Sequence, residues 1–284
     1  MLAAAAATLL LALAAGCGGD DDGGDEASPT TAGPAPTAAP ATTAPPSSTT
    51  AAAGEVVLAE TFDDDANRWS PESFDTDTAT GEIADGQMTF SVSESPSAGA
   101  PEGQVALPTL FWPSAIEGRA DQLSDVRVDT TVSFTEGAQV GVSCRIVDPT
   151  GDDFRSYDFA ISSAGVASIS EVDEAGSPEQ LARAPEMVEG AEPALPDDPA
   201  FEYDPAQAYE LGAECRGGQD GGPVELTLFL DGEELLTAED AEDPIPTGIA
   251  SANYGESTLL TQLDGFTPFG VAFDDWTLTE LGAS

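Results

Sequence analysis

Carboxylates are the chemistry this sequence holds in quantity: 53 Asp and Glu stand against seven basic residues, all of them Arg, and no His occurs among its 284 residues. Without an imidazole, Ser-His-Asp and Cys-His nucleophile systems and His-ligated zinc or iron are out of reach. What remains is carboxylate, hydroxyl and arginine chemistry. Two readings of the acids stay open, a solvated surface that keeps the protein soluble and a convergence of some carboxylates on a divalent cation. The spacing Asp75-Thr76-Asp77 followed by Gly81 lacks the third oxygen donor and the correctly placed glycine of an EF-hand loop. A formal charge of −46 argues against nucleic acid as a partner, because binding it needs cationic side chains that displace counterions. It also repels an anionic membrane surface.

The three cysteines divide into an address and a crosslink. Residues 1–15 are a run of Ala and Leu, too short to span a bilayer and the right size for the apolar region of a signal peptide. The run ends in Leu13-Ala14-Ala15-Gly16-Cys17. That ending resembles the lipobox of bacterial lipoproteins, in which the cysteine sulfur receives a diacylglycerol and becomes the first residue after cleavage. The resemblance implies a signal peptide over 1–16, lipidation at Cys17 and display on the extracellular face of the cell membrane. The charged segment that ordinarily precedes such a run is missing, so a start upstream of Met1 is expected. Residues 17–54 are Gly/Asp-rich and then Thr/Pro/Ala-rich. They cannot bury enough surface to offset their ordering entropy and are expected to form a disordered stalk.

After Gly54 the pattern turns to short runs of period two separated by Gly, Asp and Pro, which predicts an all-β domain over 55–284. Strands are expected near 55–61, 81–84, 87–93, 126–134, 140–146, 154–162, 166–172, 209–215, 224–230, 233–237, 248–254 and 271–281. Asp85-Gly86 and Asp231-Gly232 predict type I′ hairpin turns. Eleven to thirteen strands with turns this frequent favour two packed sheets. Cys144 and Cys215 each fall on the apolar face of their strand, and in an oxidising compartment they are expected to form a disulfide. A Pro- and Glu-rich excursion over 173–204 is open to three readings: lid, binding loop or insertion.

Phe62-Asp63-Asp64-Asp65 with Trp69 after the opening strand, the hairpin Leu228-Phe229-Leu230-Asp231-Gly232-Glu233-Glu234-Leu235 and the closing Phe273-Asp274-Asp275-Trp276-Thr277-Leu278 resemble the concanavalin A-like jelly-roll superfamily. That superfamily includes laminin-G-type modules, legume lectins and family 16 glucanases. The resemblance covers nearly all of 55–284 and implies a two-sheet antiparallel jelly-roll sandwich whose closing strand pairs near the opening one. Its glucanases carry Glu-x-Asp-x-Glu, or the same with one extra residue, on an inner strand. Here Glu171-Val172-Asp173-Glu174 is followed by Ala175 and Gly176 where the second glutamate belongs. An enzyme, glycoside hydrolase-like or akin to 3-keto-disaccharide hydrolases, is therefore the secondary reading.

Calcium is the cofactor the resemblance suggests, with Asp63, Asp64, Asp65, Asp152, Asp153, Asp274 and Asp275 as oxygen donors, but no one loop is singled out and the metal ligands stay unknown. Sandwich lectins stack exposed aromatics on sugar faces. Trp69, Trp112, Tyr203 and Tyr254 are the candidates for that role, and core or loop-anchoring aromatics are the other reading of them. The expected function is a surface module that binds carbohydrate or another cell-wall ligand without catalysis. A structural or protein-interaction display domain is the alternative.

Overall fold

A computed structural model describes residues 54–63, 69–70, 74–75, 78–96, 109–119, 122–150, 153–174, 177–186 and 192–282. The segments expected to be a signal peptide (1–16), a lipidated Cys17 and a stalk (17–54) lie outside the described residues, save Gly54.

The alternation read from the sequence becomes sixteen strands among the described residues: β1 (Glu55–Glu60), β2 (Trp69–Ser70), β3 (Phe74–Asp75), β4 (Ala79–Ala84), β5 (Gln87–Val92), β6 (Thr109–Pro113), β7 (Val126–Phe134), β8 (Ala138–Val147), β9 (Arg155–Ser162), β10 (Ala167–Val172), β11 (Pro178–Ala184), β12 (Tyr209–Gly217), β13 (Val224–Leu230), β14 (Glu233–Asp240), β15 (Ile249–Glu256) and β16 (Phe269–Glu280). One short helix, α1 (Thr258–Asp264), follows β15. Nine strands form one sheet in the order β14-β13-β12-β7-β16-β5-β4-β3, with β1 also on β16, and seven form the other in the order β11-β10-β9-β8-β15-β6-β2. The chain crosses between sheets from β5 through β8, runs β8 to β11 as a meander in the smaller sheet, then β12 to β14 in the larger, and crosses again through β15 to β16. The result is a two-sheet antiparallel jelly-roll sandwich.

Local chemistry accounts for the turns. The Asp85-Gly86 pair joining β4 to β5 and the Asp231-Gly232 pair joining β13 to β14 hold φ of 55° and 80°, and of 52° and 79°. Positive φ at both central residues is what the type I′ turn requires and what Asp-Gly tolerates. The closing strand behaves as the resemblance implies. Its first half pairs with β5, and its second half pairs with β1, from Glu60 opposite Trp276 to Glu55 opposite Glu280.

Facing rows of the two sheets supply the core, among them Val128, Val132, Phe273 and Leu278 from the larger and Val140, Val142, Tyr157 and Phe159 from the smaller, all fully buried. Cys144 on β8 and Cys215 on β12 are bonded across this core with Cα atoms 6.7 Å apart, so the disulfide ties one sheet to the other. The 173–204 excursion is not loop throughout: β11 pairs with β10 from Val172 opposite Pro178 to Ala167 opposite Ala184.

Candidate functional site

Strand β9 alternates in the ordinary way, yet both of its faces are closed. Tyr157, Phe159 and Ile161 enter the core, while Ser156, Asp158, Ala160 and Ser162 face outward and are still buried. Asp158, Ala160 and Ser162 of this row line a groove of about 320 Å³ on the smaller sheet, bounded by β10 and β11 on one side and by the end of β15 and the start of α1 on the other.

Strand register sets the outward face on which the groove lies. One cross-strand row reads Arg183 (β11), Ser168 (β10), Ala160 (β9), Gly141 (β8) and Asn253 (β15); the next reads Gln180, Ser170, Asp158, Ser143 and Ser251. At the usual strand spacing each row spans about 19 Å. The floor is made of small residues for a steric reason. A Cβ on Gly141 would lie 2.2 Å from the Phe159 carbonyl oxygen and 2.6 Å from Asn253 Oδ1, so only glycine lets the Asn253 side chain lie across β8.

A hydrogen-bonded chain runs along the second row. Asn253 Nδ2 donates to Ser143 Oγ at 2.8 Å, Ser143 bonds to Asp158, and Ser156 Oγ donates to Asp158 Oδ1 at 2.8 Å. Burial pushes the Asp158 carboxyl above the ordinary aspartate range, and the two serine hydroxyls pull it part of the way back. Four polar atoms on this face are buried with no hydrogen-bond partner among the described residues: Arg183 Nε, Ser251 Oγ, Asn253 Oδ1 and Ser257 Oγ. Glu256 is 6% exposed at the groove's α1 end and accepts a hydrogen bond from Ser95 Oγ at 2.7 Å.

The four aromatics expected to present stacking faces do not. Trp69 is 2% exposed, packed edge-on against Trp276, and its indole N–H faces Glu60 at 3.4 Å. Trp112 is buried on β6 and donates to Glu117 at 2.9 Å. Tyr254 is stacked against Phe90 and Phe111, and burial raises its hydroxyl to about 12. Tyr203 is half-buried against Phe134, donates to the Phe134 carbonyl at 2.9 Å, and burial likewise raises it to about 12. The physical reason is demand: a core between two large sheets absorbs nearly every ring available, and strand position near a turn does not distinguish inside from outside.

Glu171 sits on the same side of its sheet as Tyr157, which it pairs with, and forms an ion pair with Arg155 at 2.6 Å. It faces away from the groove. Among the described residues no three acidic side chains converge into a cation site. Asp63 accepts from the Thr61 hydroxyl, and Asp274 accepts from the backbone N–H of Asp275. Asp64, Asp65 and Asp152 lie outside the described residues. Sequence reasoning missed Asp158, Arg183, Asn253 and Ser257. The available signal was the serine-rich outward register of 154–162 and 166–172, which placed small polar groups side by side on one face.

No protein family matches the sequence, and no curated protein matches it. Among solved structures the chain is similar to a prokaryotic β-1,3-1,4-glucanase (lichenase) derived from a mouse hindgut metagenome, at 13% identity over 78% of this chain and 98% of that one, with a TM-score of 0.49. It is similar also to a Bacillus licheniformis β-glucanase, at 11% identity over 81% and 99% with a TM-score of 0.47. A third likeness is to the carbohydrate-binding module CBM66 from Bacillus subtilis, at 13% identity over 75% and 92% with a TM-score of 0.33. Likenesses at these identities and scores carry no argument about activity, so function rests on the groove.

Proposed function

We propose that the sandwich binds an extended carbohydrate along the groove without cleaving it, and that a lipid on Cys17 displays it at the outer face of the cell membrane. The observation that carries the binding reading is the set of buried polar atoms left without partners. Asn253 Oδ1 needs a donor, Arg183 Nε needs an acceptor, and Ser257 Oγ can use either, and all three residues line the groove. Leaving each unmet costs about 1–3 kcal/mol. A sugar hydroxyl both donates and accepts, so a polyhydroxylated chain lying along the groove can satisfy each of them. A peptide ligand would need pockets for its side chains. The floor of Ser168, Ser170 and Ala160 offers none.

Tryptophan in place of Ser168 fills the groove from its floor and leaves the core side of β10, where Ala167 and Ile169 pack, unchanged. On a glycan array the full chain is expected to give a saturable hit that Ser168→Trp loses while its circular dichroism stays that of the parent. A blank array for the parent, or a hit that persists in the variant, rejects the reading. Asp158 and Glu256 both line the groove. Release of reducing ends from the hit glycan, abolished by Asp158→Asn, would replace binding with hydrolysis.

Support for display is the run Leu13-Ala14-Ala15-Gly16-Cys17. Expressed in a bacterium, the chain is expected in the detergent phase of a cloud-point partition, and Cys17→Ser in the aqueous phase. A parent found in the aqueous phase would remove the anchor from the reading.

A further inference from the structure

Five of the six described arginines meet a carboxylate: Arg119 meets Glu280, Arg127 meets Asp129 and Glu214, Arg145 lies 3.6 Å from Asp125, Arg155 meets Glu171 and Asp243, and Arg216 meets Glu214. In a chain with 53 acids this is the expected fate of a guanidinium. Among the described residues Arg183 alone has no such partner. It is half-buried at the β11 end of the groove, its Nε is buried and unbonded, and its row neighbours are Ser168 and, beyond it, Ala160. Burial alone acts on it, lowering its pKa, with no carboxylate close enough to offset the effect.

A buried guanidinium N–H without an acceptor destabilises the fold. With carboxylates so abundant, its isolation reflects placement, since β11 sets it on the groove face where Asp158 lies two strands away and two residues along, about 12 Å. Asp158 is engaged by Ser143 and Ser156, and Glu256 lies at the opposite end beside α1. The groove is thus polarised along its length, with a lone cationic donor at one end and the free Asn253 acceptor at the other.

We propose that the groove takes an anionic saccharide, whose carboxylate or sulfate docks on Arg183 while its neutral hydroxyls meet Asn253 and Ser257. This rests on the carbohydrate-binding reading above and names its ligand class. A planar guanidinium matches either oxyanion through parallel N–H donors. The charge of the rest of the molecule opposes approach of an anion, but at about 0.1 M salt it is screened beyond roughly 10 Å, whereas a partly buried contact is screened much less.

The test is calorimetric titration of the full chain with galacturonate, glucuronate and mannuronate tetramers, each beside its carboxyl-reduced neutral counterpart, and with sulfated forms of the neutral tetramers. At least one acidic form is expected to bind roughly tenfold or more tighter than its neutral counterpart. Arg183→Gln should bring the pair to parity by weakening the acidic form far more than the neutral one, and the uronate and sulfate arms then identify which anion is read. Neutral binding equal to or tighter than acidic binding, or a preference that survives Arg183→Gln, overturns the proposal while leaving the groove reading intact. Absence of binding by every form overturns both.

Discussion

Replacing Cys144 and Cys215 together by alanine is expected to lower stability by about 4 kcal/mol. The two residues are 71 positions apart, and both sulfurs are fully buried between the sheets. In the unfolded chain the crosslink closes a long loop, and the entropy it removes there is what the native state no longer has to overcome. The effect is larger than a surface crosslink of equal span would give, because truncation also leaves a void where the sulfurs packed. Urea unfolding of parent and double variant at matched pH measures the difference directly. For a domain of this size the melting temperature is expected to fall by on the order of 10 °C. A loss under about 1 kcal/mol would mean that the crosslink adds nothing beyond packing already present.

A comparable loss, about 3–5 kcal/mol, is expected for Arg145→Ala. The Arg145 side chain is fully buried, and its guanidinium donates to three backbone carbonyls: Ser124 at 3.0 Å, Ile245 at 2.7 Å and Gly217 at 2.9 Å. Those carbonyls lie in the segment before β7, in the β14–β15 connection and at the end of β12. One side chain therefore joins the β14–β15 connection to the paired ends of β12 and β7. Its surroundings are cut to fit, since a Cβ on Gly218 would lie 2.7 Å from Nη1 and one on Gly248 would lie 2.2 Å from the Arg145 carbonyl carbon. Truncation leaves three carbonyls without a donor, and Asp125, 3.6 Å from the guanidinium, without its counter-charge. Arg145→Lys is expected to recover only part of the loss, because a point ammonium cannot reach three divergent acceptors as a planar fork does. Chemical denaturation of both variants checks this, and an Arg145→Ala variant within about 1 kcal/mol of the parent would contradict it.

Arg145 also marks the limit of what periodicity reveals. Alternation through Val140, Val142, Cys144 and Ile146 assigns residue 145 to the outer face, and so to solvent. The strand breaks register between Cys144 and Val147, and Arg145 takes a φ of 54°, which turns its side chain inward. A bulge of this kind depends on partners distant in sequence, and local pattern does not encode it. Where the pattern is purely local, as at Asp85-Gly86 and Asp231-Gly232, turn and strands follow directly. The disulfide was legible for a related reason, since it joins two segments with strong patterns of their own, whereas the pairing of β16 with β1 was implied by the jelly-roll resemblance of the opening and closing motifs. Strand β11 was hidden by its composition: Pro178 and Glu179 open it, and its residues are exposed or half-buried, so no apolar alternation announces it. The groove was hidden because serine, glycine and asparagine signal turns as readily as they signal a buried polar floor. The aromatics misled for the opposite reason, being conspicuous in the sequence and consumed by the core.

On the carbohydrate-binding reading proposed above, the closure of β9 on both faces has a consequence for selectivity. Its outward groups are held by the same packing that holds the core, so the template they form is rigid before any ligand arrives, and little ordering remains to be done on binding. A rigid polar template discriminates by rejection: an epimer with one hydroxyl turned the wrong way leaves a buried group unmatched, and the wall cannot shift to accommodate it.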